Sequence, residues 1–390
     1  MRVAIITESF APDVNGVAHS VEQVAHHLVT RGHEPLVIAP EPALGTRATA
    51  GRFPFPVVRV PSVPMLGYRG FRLGLMNTHL VAVLRAHRAD VVHLASPFVL
   101  GARGVAAAQA LNLPTVSVYQ TDVAGYCTPY KAEVAQRAVW WWLRRIHNAS
   151  DRTLAPSTAA ATNLYAHGIR RVWIWRRGVD IERFHPKHRT AALRHAIAPN
   201  GEVIVGYVGR LAVEKQVELL AETVRLSGVR VVIVGDGPAA PQLRKALPEA
   251  VFLGERRGAQ LGRIYASLDV FAHTGAYETF GQAVQEALAS GLPVVAPAAG
   301  GPIDLVTPGE TGYLVPPGNG AAIASAVGEL AASPSRRAEF GVAARRRVRT
   351  QTWAAVGDEL IDHYTAVRDG HSTPGSIALP AVPGQSLAHG

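Results

Sequence analysis

Short apolar runs alternate with longer stretches whose apolar residues recur at helical spacing, and this alternation continues along most of the chain. It begins with a predicted strand over residues 3–7, an amphipathic helix over 20–30 and a strand over 34–39. Strands that alternate with helices indicate a parallel sheet covered on both faces. Further strands are predicted over 57–60, 91–94, 115–119, 203–208, 229–234, 250–253, 270–272 and 293–295.

Two such series follow one another, so the predicted fold class is α/β with two Rossmann-like domains. The first domain is predicted over residues 1–190 and the second over 191–350, with the boundary inside 186–201, where the apolar pattern lapses. A last helix is predicted over 351–368. Residues 369–390 are rich in Gly, Ser, Pro and Ala without periodicity, which is typical of a disordered tail.

Composition excludes several classes of protein. With 48% hydrophobic and 17% charged residues among 390, the chain is globular rather than disordered. No run approaches the roughly 18 apolar residues that a membrane-spanning helix needs. Cys127 is the single cysteine, so the chain can form no internal disulfide and no cysteine-based zinc site, which fits a reducing cytoplasm. The histidines show no metal-ligand spacing, and no metal is predicted.

The net charge of +10 comes from one half of the chain. Residues 1–190 hold 22 basic against 11 acidic residues, whereas 191–390 hold 17 against 18. A one-sided positive field suits nucleic acid, an anionic membrane or an acidic substrate. Cations interleaved with aromatic and aliphatic residues favour a membrane surface. Such residues are Tyr68, Arg69, Arg72, Arg85 and Arg88. A second group surrounds the tryptophans at 140–142; three consecutive positions spread around a helix, so at least one of these tryptophans must face the protein core.

Two loops at the carboxyl ends of predicted strands could bind phosphate. In the loop 12–17, Gly16 lets the backbone approach a ligand, and the helix that follows presents N–H groups to an anion. An ordinary strand-to-helix turn would use the same residues. Arg210 and Lys215 follow the strand 203–208 and can converge on a diphosphate, with a solvated loop as the alternative.

Glu278 and Glu286 form a third candidate group. On one continuous helix their spacing corresponds to a little over two turns, so Glu286 is expected roughly beneath Glu278 at the helix start. There Phe280, Gly281 and Gln282 would offer backbone N–H groups. Carboxylates suit the vicinal hydroxyls of a ribose or a hexose. Two solvated glutamates are the alternative, which the apolar residues around Glu286 disfavour.

In combination these segments resemble the retaining glycosyltransferases of family 4, which have the GT-B fold of two domains facing across a cleft. The resemblance covers roughly residues 1–365. It rests on Asn15-Gly16-Val17, GRLAVEK (209–215), VIVGDGP (232–238), the pair Glu278 and Glu286, SGLPVVAPAAGG (290–301) and TGYLVPPGN (311–319). ITESFAPDVNGVAHSV, DVVHLASPFVLG and VYQTDVAGY are similar to actinobacterial GDP-mannose-dependent α-mannosyltransferases that act on glycolipids of the glucuronosyl-diacylglycerol or phosphatidylinositol type. Sulfolipid synthases, which use a UDP-sugar, share these segments.

The resemblance implies metal-independent sugar transfer from a nucleotide donor bound between the domains, with the last helix crossing back to the first domain. Arg210 and Lys215 would neutralise the leaving phosphate, and Gly16 would add an N–H from the opposite domain. Glu278 would hold the hexose and Glu286 the ribose. The remaining donor contacts would be Phe252, Leu253 and Gly254 near the base, and Phe280, Gly281 and Gln282 near the sugar. No cofactor besides the donor is expected.

One position departs from the family pattern. Many relatives carry a histidine after the strand that ends here near Tyr119, whereas this chain has Gln120, and Asp122 follows two residues later. Gln120 cannot titrate and can only hydrogen-bond the sugar or the leaving phosphate, while Asp122 can orient the acceptor hydroxyl. The identity of any catalytic base therefore stays open.

The sequence predicts an enzyme that transfers mannose from GDP-mannose to a membrane lipid, located in the cytoplasm and peripherally associated with the inner face of the plasma membrane. The alternatives are a UDP-sugar-dependent lipid glycosyltransferase and a GT-B enzyme with a soluble acceptor. A nucleic-acid-binding protein would explain the basic charge but not GRLAVEK or the pair of glutamates. The oligomeric state is not predicted.

Overall fold

The structure is a computed structural model that describes residues 1–13, 15–42, 53–64, 72–74, 79–95, 98–121 and 133–370. Three predicted site residues, Tyr68, Arg69 and Asp122, lie outside the described residues. The predicted disordered tail also lies outside them from residue 371 onward.

The first domain contains a parallel sheet with helices on both faces. Within the described residues its strand order is β3-β2-β1-β6-β7-β8-β9, and β4 and β5 form a separate antiparallel hairpin. The strands are β1 (Arg2–Ile6), β2 (Glu34–Pro40), β3 (Val57–Val60), β4 (Ser62–Pro64), β5 (Arg72–Gly74), β6 (Val91–Leu94), β7 (Thr115–Val118), β8 (Arg152–Ala155) and β9 (Val172–Ile174). The helices are α1 (Gly16–Thr30), α2 (Leu80–His87), α3 (Val99–Ala110), α4 (Glu133–Ala149) and α5 (Thr158–Ala166).

The second domain repeats this arrangement with the strand order β12-β11-β10-β13-β14-β15, again parallel throughout. The strands are β10 (Val203–Val208), β11 (Val229–Val234), β12 (Val251–Gly254), β13 (Val270–Ala272), β14 (Val294–Pro297) and β15 (Gly312–Val315). The helices are α6 (Ala191–Ile197), α7 (Ala240–Ala246), α8 (Gly258–Ser267), α9 (Gln282–Ala289), α10 (Pro302–Leu305), α11 (Gly320–Ala332), α12 (Pro334–Val348) and α13 (Trp353–Arg368).

Helix α13 leaves the second domain and packs into the first. Leu360 and Tyr364 are buried in the same apolar cluster as Val21 of α1 and Val116 of β7. The phenol oxygen of Tyr364 lies 2.5 Å from Nδ1 of His93. The last helix therefore crosses back to the first domain, as the resemblance implied.

The chain passes between the domains at two adjacent places. Val179 and Thr352 form a parallel bridge, and the amide of Val179 donates to the carbonyl of Gln351 over 2.9 Å. Val179 and Phe184 already pack in the core of the second sheet, ahead of residue 190. The two connections lie side by side, so they form a single joint between the domains.

Several elements differ from the sequence-based expectation. Helix α1 begins at Gly16 rather than at residue 20, because the side chain of Asn15 accepts hydrogen bonds from the amides of Val17 and Ala18, each 3.0 Å long. The strands β4, β5, β8, β9 and β15 were not predicted. They are three or four residues long.

Each sheet has a point where successive strands are added in opposite directions. In the first domain it lies between β1 and β6, and in the second between β10 and β13. Loops that follow such a pair of parallel strands diverge and leave a crevice at the carboxyl edge of the sheet, where α/β proteins bind ligands. The loops with Gly16, Lys215 and Glu278 follow β1, β10 and β13.

Candidate active site

An ion pair forms at the crevice of the second domain. Lys215 ends a short turn after β10, and its Nζ lies 2.5 Å from Oε1 of Glu278, which follows β13. Both side chains are mostly buried, at 15% and 21% exposed. Burial by itself would raise the pKa of Glu278, but the charge and hydrogen bond of Lys215, together with the charge of Arg177, outweigh it and hold the pKa below its usual range. Glu278 is therefore ionised at neutral pH.

Glu278 does not lie on a helix, so the expectation of one helix under both glutamates is wrong. Helix α9 begins only at Gln282, because Gly281 adopts the left-handed conformation with φ of 94°. The loop with Glu278 is held by the double glycine that follows β14. The amide of Gly301 donates to the carbonyl of Glu278 over 2.8 Å, and a Cβ at Gly300 would overlap that carbonyl oxygen.

Glu286 has a different environment from Glu278. It lies on α9 and is half-buried. Burial raises its pKa to about 7, against the opposing effects of a hydrogen bond with Tyr265 and of the charge on Arg183. Beside it is a cavity of about 280 Å³ lined in part by His19, Gln282 and Glu286. The two carboxylates thus differ, one permanently charged and the other titrating near neutrality.

The other predicted donor contacts are placed as follows. Arg210 is exposed at the carboxyl end of β10, and the phenol of Tyr207 donates to its carbonyl over 3.3 Å. Phe252, Leu253 and Gly254 lie half-buried in β12, at the edge of the second sheet. The guanidinium of Arg244 lies 4.6 Å from the centre of the Phe252 ring. Phe280 is buried in the core of the second domain. Its side chain therefore supports the loop, and only its backbone is available to a ligand.

A buried arginine dominates the wall that the first domain contributes. Arg177 is 8% exposed, and its guanidinium donates to the carbonyl of Gly16 over 3.0 Å and to Oε1 of Gln120 over 2.8 Å. The amide nitrogen of Gln120 donates to the carbonyl of Ala95 over 3.0 Å. A Cβ at residue 16 would lie 3.0 Å from Nη1 of Arg177, so a glycine keeps this contact open. Sequence reasoning missed Arg177, which occurs in the segment RRGVD.

Hydrogen bonds join the two walls of the crevice. Thr279 donates through its hydroxyl to the carbonyl of Gln120 over 3.1 Å, and Ser157 donates to the carbonyl of Thr279 over 2.7 Å. The side-chain amide of Gln285 donates to the backbone carbonyl of Arg177 over 2.9 Å. The residue next to Glu278 is thus bound directly to the first domain.

His273 is a second residue that the sequence did not single out. Its Nε2 lies 3.7 Å from Oε1 of Glu278, and neither ring nitrogen has a hydrogen-bond partner among the described residues. Burial lowers the pKa of its imidazole, which is neutral at neutral pH. His273 is thus a buried polar ring beside Glu278.

The predicted surface residues of the first domain have separate environments. Arg72 is bound at the hairpin, where its guanidinium donates to the hydroxyl and the carbonyl of Ser62, each over 2.7 Å. Arg85 and Arg88 are exposed at the end of α2. Of the three tryptophans, Trp140 is buried and stacks on a histidine ring, whereas Trp141 is 53% exposed.

The described residues offer neither a metal-ligand cluster nor a membrane-spanning helix. In the ranges given above, the side chains of His, Cys, Asp and Glu form no group of three that could hold a metal ion. Among the helices of those ranges, none combines the length and the apolar character that crossing a membrane requires.

Two family models match the chain. The model of Glycosyltransferase Family 4 matches residues 14–183, and that of Glycosyl transferases group 1 matches residues 202–333. A protein of Mycobacterium tuberculosis named GDP-mannose-dependent alpha-mannosyltransferase is 49% identical over 96% of this chain and 98% of its own. A protein of the same name from Mycolicibacterium smegmatis is 51% identical over 94% and 98%. The chain belongs to glycosyltransferase family 4.

The fold of this family 4 enzyme recurs in solved structures. HepE of Anabaena, in complex with UDP and glucose, superposes with a TM-score of 0.75 at 22% identity and covers 93% of this chain and 99% of its own. Sucrose-phosphate synthase of Thermosynechococcus elongatus gives a TM-score of 0.77 at 20% identity over 95% and 99%. At such identities the likeness concerns the fold alone. The predicted GT-B fold is confirmed.

We predict that Lys215→Ala lowers the turnover of this glycosyltransferase. The substitution removes a cation at the crevice and leaves the carboxylate of Glu278 without its ion-pair partner, so we expect a kcat about 100-fold lower at saturating donor. The measurement is a steady-state rate with a labelled nucleotide sugar. Lys245→Ala, an exposed lysine on α7, is the matched control and should leave the rate unchanged. A normal kcat for Lys215→Ala would contradict a role at the leaving group.

Proposed function

We propose that the protein transfers a mannosyl residue from GDP-mannose to a membrane lipid, with retention at the anomeric carbon. The observation that carries sugar transfer is the ion pair of Lys215 and Glu278 at the crevice, which sets a cation and an ionised carboxylate side by side. The donor is inferred from the relatives. Besides the two proteins above, a Corynebacterium glutamicum protein of the same name is 44% identical over 94% of this chain and 89% of its own.

The proposed chemistry uses each wall of the crevice. Lys215 and Arg210 stabilise negative charge on the departing diphosphate, which is the largest electrostatic requirement of the step. Glu278, ionised and anchored by Lys215, accepts hydrogen bonds from the mannose hydroxyls. Glu286 accepts hydrogen bonds from the ribose hydroxyls beside the cavity at α9. The leaving phosphate takes the proton of the acceptor hydroxyl on the same face of the sugar, which accounts for retention.

The choice of nucleotide is testable by thermal stabilisation. A ligand that binds only the folded protein raises its stability by RT ln(1 + [L]/Kd), so the product nucleotide with the lower Kd gives the larger shift of Tm. We expect GDP to stabilise the protein more than UDP at equal concentration, measured by differential scanning fluorimetry.

Transfer itself provides the companion measurement. Labelled GDP-mannose incubated with the enzyme and anionic membrane lipids should yield a product that partitions into organic solvent. A larger Tm shift with UDP would favour the UDP-sugar alternative. Label that stays in the aqueous phase would favour a soluble acceptor.

We predict that GDP affinity depends on the protonation of Glu286. Its pKa is raised to about 7 in the free protein, so a growing fraction is protonated as the pH falls below this value. Only the carboxylate accepts two ribose hydrogen bonds, so Kd should rise as the pH is lowered from about 8 to about 6. Isothermal titration calorimetry measures this. Glu286→Gln should bind weakly with a flatter profile, and an unaltered profile in this variant would contradict the assignment.

An exposed basic surface that includes a tryptophan supports the proposed lipid acceptor. On α4, Arg137, Trp141, Arg144 and Arg145 are all exposed, and we call them the α4 face. Beside it is a cavity of about 640 Å³ lined by Arg144, Asn148, Gly168, Arg170 and Arg171. In the part of the chain that the structure describes, none of these arginines forms an ion pair with a carboxylate. Exposed cations beside an exposed tryptophan suit an anionic bilayer.

We expect the α4 face to be needed for vesicle binding. Each cation near an anionic surface contributes about 1 kcal/mol, so Arg144→Glu with Arg145→Glu should weaken binding to phosphatidylglycerol vesicles by about 25-fold or more. Flotation measures the bound fraction. Arg346→Glu with Arg349→Glu, two exposed arginines at the carboxyl end of α12, makes the same charge change and should have little effect. Equal losses in both double variants, or equal binding to neutral vesicles, would contradict a specific surface.

A further inference from the structure

Arg177 is a buried cation whose side-chain partners are neutral. It follows β9 at the joint between the domains, and its guanidinium binds the carbonyl of Gly16 and the side-chain oxygen of Gln120. Among the residues that the structure describes, no carboxylate forms an ion pair with it. Burial lowers the pKa of Arg177 to about 10, so the group remains charged at neutral pH. Burying a charge that lacks an ionic partner is costly, and such costs are concentrated at functional sites.

The amide of Gln120 is held in one orientation. Its nitrogen donates to the carbonyl of Ala95 over 3.0 Å, and a carbonyl can only accept, so the oxygen of the amide must point the other way. That oxygen accepts from Arg177 over 2.8 Å. Counting only partners among the described residues, each end of the amide keeps one further hydrogen-bonding position. The group presented at residue 120 is therefore an amide oriented by a permanent cation.

The same arginine is bound to the second domain. The backbone carbonyl of Arg177 accepts a hydrogen bond from the side-chain amide of Gln285 on α9. The backbone carbonyl of Gln120 accepts one from the hydroxyl of Thr279, the residue next to Glu278. Arg177 thus lies between the start of α1, the end of β7 and the loop that carries Glu278. Its guanidinium contacts Gly16 and Gln120 of the first domain, while its backbone is bound to the second domain.

We propose that Arg177 is a positioning residue for glycosyl transfer, which orients the amide of Gln120 and the amino-terminal turn of α1 toward the sugar and diphosphate of the donor. The inference rests on the proposed function and adds a residue to it. A bound diphosphate would add negative charge near a guanidinium that forms no ion pair among the described residues.

The test compares Arg177→Met with Arg176→Met. Arg176 is the neighbouring arginine, with a side chain 41% exposed and 3.7 Å from Asp304. We expect Arg177→Met to lower kcat about 100-fold with a smaller change in the KM for the donor, whereas Arg176→Met keeps the rate. Arg177→Lys should recover part of the loss. Added guanidinium ion should recover part of the activity of Arg177→Ala, because a free cation can occupy the vacated space.

A double-variant cycle separates positioning from folding. Gln120→Met removes the acceptor and leaves the cation, so it should lower kcat as well, and the double variant Arg177→Met/Gln120→Met should lose little more than either one. Additive losses would overturn the proposal. A folded Arg177→Met enzyme with normal kcat would also overturn it. So would a loss of kcat in Arg177→Met and Arg177→Ala that follows a lowered Tm, if neither the Arg177→Lys substitution nor added guanidinium ion restores activity. If the unaltered protein transfers no sugar from any nucleotide donor, the proposed function fails instead.

Discussion

The partly buried ion pair of Lys215 and Glu278 determines how the crevice can work. The two residues come from loops after neighbouring strands of the second sheet, so the pair forms only when β10 and β13 lie side by side. Removing one partner from such a pair costs about 3–5 kcal/mol, because the other charge stays buried without compensation. The loop of Glu278 in turn carries Thr279, which contacts the first domain. Charge balance at the donor site and contact between the domains therefore depend on one short segment.

Much of this arrangement could be predicted from short-range signals. Apolar runs marked the longer strands, and the glycine loop, GRLAVEK and the two glutamates marked the loops that gather at the carboxyl edges of the sheets. The helix expected under Glu278 was wrong because a single left-handed residue, Gly281, ends the regular backbone there. Whether a glycine is left-handed depends on what packs around it, and in this case Pro302 and Leu305 of α10 lie against Gly281.

Arg177 shows why other parts of the site could not be predicted. In the sequence it is one of two adjacent arginines, which suggests a solvated pair, yet Arg176 is partly exposed and Arg177 is buried. The partners that bury it, Gly16 and Gln120, are far away along the chain. Composition is misleading in the same way. Arg152 and Arg177 count toward the basic excess of the first half but are buried, so the exposed part of that charge is smaller and is found on faces such as that of α4.

The return of α13 has a consequence for how the molecule is made. Leu360 and Tyr364 complete the apolar cluster of the first domain, although they are translated after the entire second domain. The amino-terminal half of the chain leaves the ribosome with part of its own core still missing. Its apolar surface that α13 covers remains exposed to solvent until residues 353–368 have been synthesised. Chains truncated before α13 keep that surface exposed. The first domain is thus the first to be synthesised and the last to be finished.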